Sequence, residues 1–250
     1  MIMFQATDYD KLQQIMEESP EKKELLTRLL TSHQMTLSAI SHEIRNPLTL
    51  VYSTLQLIES QHPEVRTFKH WSSLTQDVEY MKLLLEELSA YNNSERIKYD
   101  TFDVSTFLKS VALSFATSLV DVNIEFISHI EDSLGSITGD CMKLREVILN
   151  LLSNARDAVH TKCFVSPEHP VISLNTYIQD ATLYIEVKDN GCGIPEENLA
   201  DLFEPFVTHK TNGTGLGLAI ASRIANAHGG SLSVKSIPGF QTTFTLRLPV

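Results

Sequence analysis

The sequence predicts a helical hairpin that pairs with a second copy as a dimeric four-helix bundle, followed by an α/β sandwich of one sheet and one helical layer. Three observations predict it. Two long helical periodicities, from about 21 to 60 and from about 65 to 95, flank a short turn at Gln61, His62 and Pro63. A polar stretch, NNSERIKYDTFD, then interrupts the pattern. Beyond it, helical and strand-like segments are interspersed up to the C-terminus.

In chain order, residues 8–19 read as a short helix that stops at Pro20. In the first long helix Leu37, Ile40, Ile44, Leu48, Val51, Leu55 and Ile58 fall on one narrow stripe. The second places Leu74, Val78, Met81, Leu85 and Leu88 at alternating steps of four and three. One hairpin cannot cover both stripes, so a homodimer is expected. Asp103 reads as an N-cap, and the domain boundary is placed near residue 97. The organisation expected is an N-terminal helical segment (1–30), the hairpin domain (31–97) and the α/β domain (98–250). Within the last, VSTFLKSVALSFAT is helical, VNIEFISHI is strand-like, and a short strand lies around Ser136. A helix from about 140 to 160 follows, then alternating strands VISLNTYI and TLYIEVKD, a glycine-rich loop, a helix at about 215–228, and strands SLSVKS and TTFTLRLP.

Composition narrows the function. The 31 acidic against 20 basic residues give a net charge of −11, which argues against nucleic acid as a partner. Cys141, Cys163 and Cys192 are odd in number and lack CxxC spacing, so neither a disulfide framework nor a zinc site is expected, and a cytoplasmic home is. No apolar run approaches the roughly 18–20 residues that span a bilayer, and the N-terminus lacks a signal-peptide pattern. Taken as a whole protein, the chain has no large sensory region, so signal input is expected from elsewhere. Residues 1–30 either dock a separate sensor protein or extend the helical stem.

His42 falls nearly opposite the apolar stripe of its helix and is predicted to be exposed. Asn46 shares its face, Glu43 adjoins it, and Pro47 is expected to bend the helix beside it. An exposed imidazole beside a carboxylate suits nucleophilic attack, with Glu43 holding one ring N–H and leaving the other nitrogen's lone pair free. Alone, such a histidine is ordinarily just a solvated side chain. Its neighbours overturn that: SHEIRNPLTL closely resembles the phosphoacceptor box of two-component sensor histidine kinases, most like those of soluble nitrogen-regulatory and sporulation-type kinases. The resemblance implies that His42 is the phosphoacceptor, Glu43 its orienting base, and Asn46 a candidate for positioning water when the kinase works in reverse as a phosphatase.

The later motifs carry a second site. Glu146, Asn150 and Asn154 recur at four-residue steps on one helical face, and amide oxygens are hard ligands suited to Mg²⁺. NLLSNA resembles the N box of the kinase family, which implies that Asn154 ligates Mg²⁺ and Asn150 supports the phosphates, with Glu146 a weaker carry-over. YIEVKDNGCGI runs a strand to Asp189 and turns on Gly191 and Gly193; by itself DNG reads as a hairpin turn. In series with the N box it resembles the first glycine box, where Asp189 accepts from the adenine amino group and favours ATP over GTP. In FEPFVTHKTNGTGLGLAI a glycine-rich loop enters a helix whose first N–H groups can receive phosphate oxygens. Phe203 and Phe206 resemble the F box. Gly213, Thr214, Gly215, Leu216 and Gly217 resemble the second glycine box, and Lys210 stands in the lid where it could pair with phosphate. No strand immediately precedes GTGLGL, so a dinucleotide fingerprint fits poorly. Phe240 and Gln241 stand where the family commonly has Gly.

Together, over about residues 30–250, these motifs imply an ATP- and Mg²⁺-dependent histidine autokinase of GHKL type that phosphorylates His42 and passes the phosphate to a response regulator receiver domain. Two other classes remain. GHKL ATPases such as gyrase or the Hsp90 chaperones use a glutamate where this chain has Asn150, and they lack the His42 box. A phosphotransfer scaffold would have a decayed nucleotide pocket, and here every expected pocket residue is present. His33, His62, His70, His129, His160, His169, His209 and His228 have no comparable context and read as surface or packing residues.

Overall fold

The computed structural model describes residues 19–162, 168–210 and 213–250. The helix read at 8–19 and Cys163 lie outside them. Contacts divide the chain into two units, Met1–Asn92 and Asn93–Val250.

The first unit is a hairpin of α1 (Pro20–Gln61) and α2 (Trp71–Asn93). Pro20 occupies the start of α1, where its missing N–H costs nothing. The helix runs on through Pro47. The second helix begins later than its periodicity suggests. Pro63 starts a five-residue 3₁₀ turn, Pro63–Thr67, and His70 takes a left-handed φ of 74°, so α-helical geometry starts only at Trp71. The predicted stripes split in two within the single chain. Leu55 and Val78 are buried, while Ile40, Ile44, Val51, Leu74 and Met81 stay exposed. Across the hairpin a guanidinium N–H of Arg45 donates to the Leu85 carbonyl at 3.2 Å.

The second unit opens with β1 (Asp100–Asp103), a strand the sequence did not suggest. It pairs antiparallel with β3 (Ser136–Gly139), Asp100 opposite Gly139 and Asp103 opposite Ser136. Residues before β1 are tied down within this unit as well. Lys98 N–H donates to Asp140 at 3.0 Å, and Arg223 pairs with Glu95 at 2.7 Å. Asp103 caps α3 (Val104–Thr117) as expected, accepting from Thr106 N–H at 2.7 Å.

The main sheet has five strands in the order β2-β4-β5-β7-β6, namely β2 (Glu125–His129), β4 (Val171–Gln179), β5 (Thr182–Asp189), β7 (Gln241–Pro249) and β6 (Ser231–Ile237). Only β2 and β4 are parallel among these pairs. The β4–β5 hairpin turns on Asp180 and Ala181, both at positive φ as a type I′ turn demands. Alternation buries one face of the sheet, Ile172, Leu174, Leu183, Ile185, Val187, Phe244 and Leu246. Against it lie α3, α4 (Cys141–Thr161) and α5 (Gly217–Ala227), which bury Leu108, Val111, Leu144, Ile148, Leu151, Leu152 and Ile224. This is the helical hairpin and α/β sandwich that the periodicities predict.

Candidate functional site

In the hairpin, His42, Glu43 and Asn46 are all exposed, while Ser41 beside them is 1% exposed and bonds back to the Leu37 carbonyl at 2.8 Å. Glu43 and His42 make no hydrogen bond to each other among the described residues. Adjacent helical positions diverge by about 100°, so a shared proton needs a rotamer change. His42 is thereby presented to solvent on the surface of α1.

The second constellation is assembled on α4. Asp140 caps it, accepting from Lys143 N–H at 3.1 Å and from Lys98 N–H. Burial opposes the Asp140 charge, but these backbone donors hold its carboxyl below the usual range. One face of α4 packs into the core through Leu144, Val147, Ile148, Leu151, Leu152, Ala155 and Val159. The opposite face leaves Asn150 and Asn154 half-buried and Glu146 exposed. Asn154 Nδ2 donates to Asn150 Oδ1 at 3.2 Å, which fixes the Asn154 amide with its oxygen turned outward. Lys210 Nζ meets that oxygen at 2.7 Å and Asp157 Oδ2 at 2.7 Å. Lys210 is thus on carboxylate and amide oxygens, and Asp157, which the sequence reading did not single out, joins Asn154 in this cluster. Its signal was the three-residue step from Asn154 to the same face.

Gly217 opens α5 against Asn150. A Cβ there would lie 2.8 Å and 2.9 Å from the Asn150 amide nitrogen and oxygen, so only glycine lets helix and amide meet. Gly215 has φ +72°, and its carbonyl accepts from Phe206 N–H at 2.9 Å. Phe206 itself is exposed at φ +66°, a conformation that costs a bulky residue free energy and that this backbone hydrogen bond helps to hold. Leu216 is fully buried, and among the described residues no side chain caps the start of α5. Leu216 N–H lies 3.4 Å from the Thr214 hydroxyl, and Gly213 N–H closes a turn onto the Lys210 carbonyl.

At the end of β5, Asp189 is 2% exposed. One oxygen accepts from Gly191 N–H at 2.9 Å. Burial pushes its pKa up to about 6, against the smaller opposing effects of that N–H and of Lys162. Cys192 N–H donates to the Ala158 carbonyl of α4 at 3.1 Å, and Gly193 packs on the backbone at Ile237 and Pro238. The turn after β5 is therefore anchored to the same helix that carries the asparagines.

His228 was read as a surface or packing residue; the structure gives it a defined structural bond pattern. Its Nδ1–H donates to the Ile224 carbonyl at 2.7 Å and its Nε2 accepts from Asp140 N–H at 2.9 Å, which selects one neutral tautomer. It holds α5 to the start of α4.

Residues 32–96 match the family model described as His Kinase A (phospho-acceptor) domain. Residues 139–250 match the model of histidine kinase-, DNA gyrase B- and HSP90-like ATPases. The signal transduction histidine-protein kinase AtoS of Escherichia coli is 29% identical over 94% of this chain and 37% of its own length. Sporulation kinase C of Bacillus subtilis is 31% identical over 85% of this chain and 48% of its own. The chain thus spans half or less of these relatives. Full-length ShkA, solved in complex with AMPPNP, superposes with a TM-score of 0.71 at 26% identity, over 86% of this chain and 45% of ShkA. No helix among the described residues is long and apolar enough to cross a membrane. With a phosphoacceptor hairpin and an ATPase sandwich matched in that order over well more than half of its length, the chain belongs to the histidine kinases of two-component systems.

Proposed function

We propose that the chain is an ATP-dependent autokinase that phosphorylates His42 and passes the phosphate to an aspartate of a response regulator receiver domain. The observation that carries this is the exposed imidazole of His42 within a matched phosphoacceptor domain. An imidazole nitrogen attacks the γ-phosphorus, the bond from phosphorus to the bridging oxygen breaks, and ADP leaves. Glu43 takes up the other ring N–H once its side chain rotates, and Asn46 orients water when phosphate is removed from the regulator.

In the α/β domain Asp189 accepts from the adenine amino group through the oxygen not held by Gly191. The N–H groups at Gly215, Leu216 and Gly217 face the phosphates. Asn154 and Asp157 already converge on the Lys210 ammonium, so the oxygen set fits a hard cation. Mg²⁺ bound there would neutralise charge on the phosphates. Asn150 keeps the Asn154 oxygen aimed at it. The Ile40, Ile44 and Val51 stripe, left open on the single chain, supports pairing of two copies in a four-helix bundle. A separate sensor protein would supply the signal.

Mixing the chain with Mg²⁺ and γ-labelled ATP tests the reading. Acid-labile, alkali-stable label is expected, and it should vanish in His42→Gln. Label that survives in His42→Gln would remove His42 from the mechanism, and hydrolysis without label would favour the ATPase class.

A further inference from the structure

Lys210 and Asp157 lie 53 residues apart, yet the ammonium is held 2.7 Å from the Asp157 carboxylate and 2.7 Å from the Asn154 amide oxygen. Asn154 cannot turn its amide without losing the bond to Asn150, so its oxygen is committed to whatever cation stands in front of it. Two oxygens of different chemistry, converging at one distance on one positive centre, describe a cation seat with an occupant. That occupant is the chain's own. The side chains of Lys210 and Asp157 are 47% and 45% exposed, so the pair is weak and readily exchanged.

We infer that Asp157 is a cation-facing residue of this site and that Lys210 is its resident counter-ion, displaced when a divalent cation binds. A divalent cation and an ammonium cannot share these two oxygens, because like charges a few ångströms apart repel. Lys210 therefore weakens divalent binding in the absence of nucleotide. Once displaced, its ammonium is available to the anionic phosphates, so one exchange loads the metal and supplies the phosphates with a cation. Asp157 is the residue that makes the exchange unequal: it attracts the divalent ion more strongly than the monovalent ammonium. This inference rests on the nucleotide site proposed above and adds to it the order in which its charges are neutralised.

The test uses Mn²⁺ as the probe, titrated into the full chain without nucleotide and followed by the electron paramagnetic resonance signal of the free ion. Lys210→Met should bind Mn²⁺ about two- to fivefold more tightly than the parent chain, the equivalent of one exposed ion pair. Asp157→Asn should bind it about tenfold more weakly. The double variant should follow Asp157→Asn, and Lys210→Arg should resemble the parent. A Lys210→Met variant that binds no more tightly, or that binds no Mn²⁺ at millimolar concentration, overturns the inference. So does an Asp157→Asn variant with unchanged affinity. The parent reading is separable from it. Normal labelling of His42 without these Mn²⁺ shifts would sink the exchange alone, and the shifts without labelling would sink the kinase assignment alone.

Discussion

Replacing Asp189 by Asn should stabilise the nucleotide-free chain while abolishing its affinity for ATP. The carboxyl titrates near 6 in the folded state against 3.8 for the free group, so the folded state holds a proton that the unfolded chain has lost between those values. Its favourable contribution is fully present below about 3.8 and disappears as the pH rises through about 6. Above that, an ionised carboxylate sits 2% exposed with a single backbone donor and costs about 3 kcal/mol, at ~1.4 kcal/mol for each pKa unit. Asn keeps an oxygen for Gly191 N–H and carries no charge. Asp189→Asn should therefore gain about 3 kcal/mol at pH 7.5, which for a chain of this size is a rise in Tm of roughly 6–12 °C. At pH 5 the gain should fall to roughly half of that by the same linkage. Thermal unfolding of both proteins at pH 5, 6 and 7.5 measures it. A gain that does not change with pH, or a loss at pH 7.5, would refute the argument that burial of this charge strains the domain. Titration of the parent chain with ATP gives the functional half: affinity should fall as the pH drops through about 6, because protonation removes the acceptor.

Other substitutions probe neighbouring joints. Gly217→Ala drives a methyl into the Asn150 amide; it should cost about 1–3 kcal/mol of stability and most of the nucleotide affinity, read by calorimetric titration. His228→Leu leaves the Asp140 N–H without its acceptor and should lower stability by about 1–3 kcal/mol in urea unfolding, with His42 phosphorylation retained at low temperature. Ile44→Asp places a charge on the open stripe of α1, and sedimentation should show a dimer becoming a monomer; a parent chain that already sediments as a monomer would refute the pairing.

Much of this architecture was legible because burial is periodic. The alternation in TLYIEVKD and the apolar face of CMKLREVILNLL map directly onto β5 and α4, since each buries one face against the other layer. The strand Asp100–Asp103 was not legible: DTFD has one apolar residue, and its conformation is imposed by its partner Ser136–Gly139 rather than by its own pattern. The late start of α2 depends on a left-handed His70, which no helical periodicity encodes. Asn150, Asn154 and Asp189 stand in contiguous motifs, so the sequence could single them out as candidates. The bond of Lys210 to Asp157 could not, because it joins a loop to a helix far away in sequence, and single-residue steps along a helix do not say what will face it.

α4 carries Asn150 and Asn154 on one side and seven core residues on the other, and its Ala158 carbonyl holds the turn behind Asp189. A compound that occupies this site would therefore press against the same helix on which the domain's folding depends. Escape from such an inhibitor by shifting the helix is closed, since substitutions that move it empty the core by several kcal/mol. Resistance would have to arise instead at exposed positions on the rim of the site, such as Phe206, whose side chain is not packed in the interior.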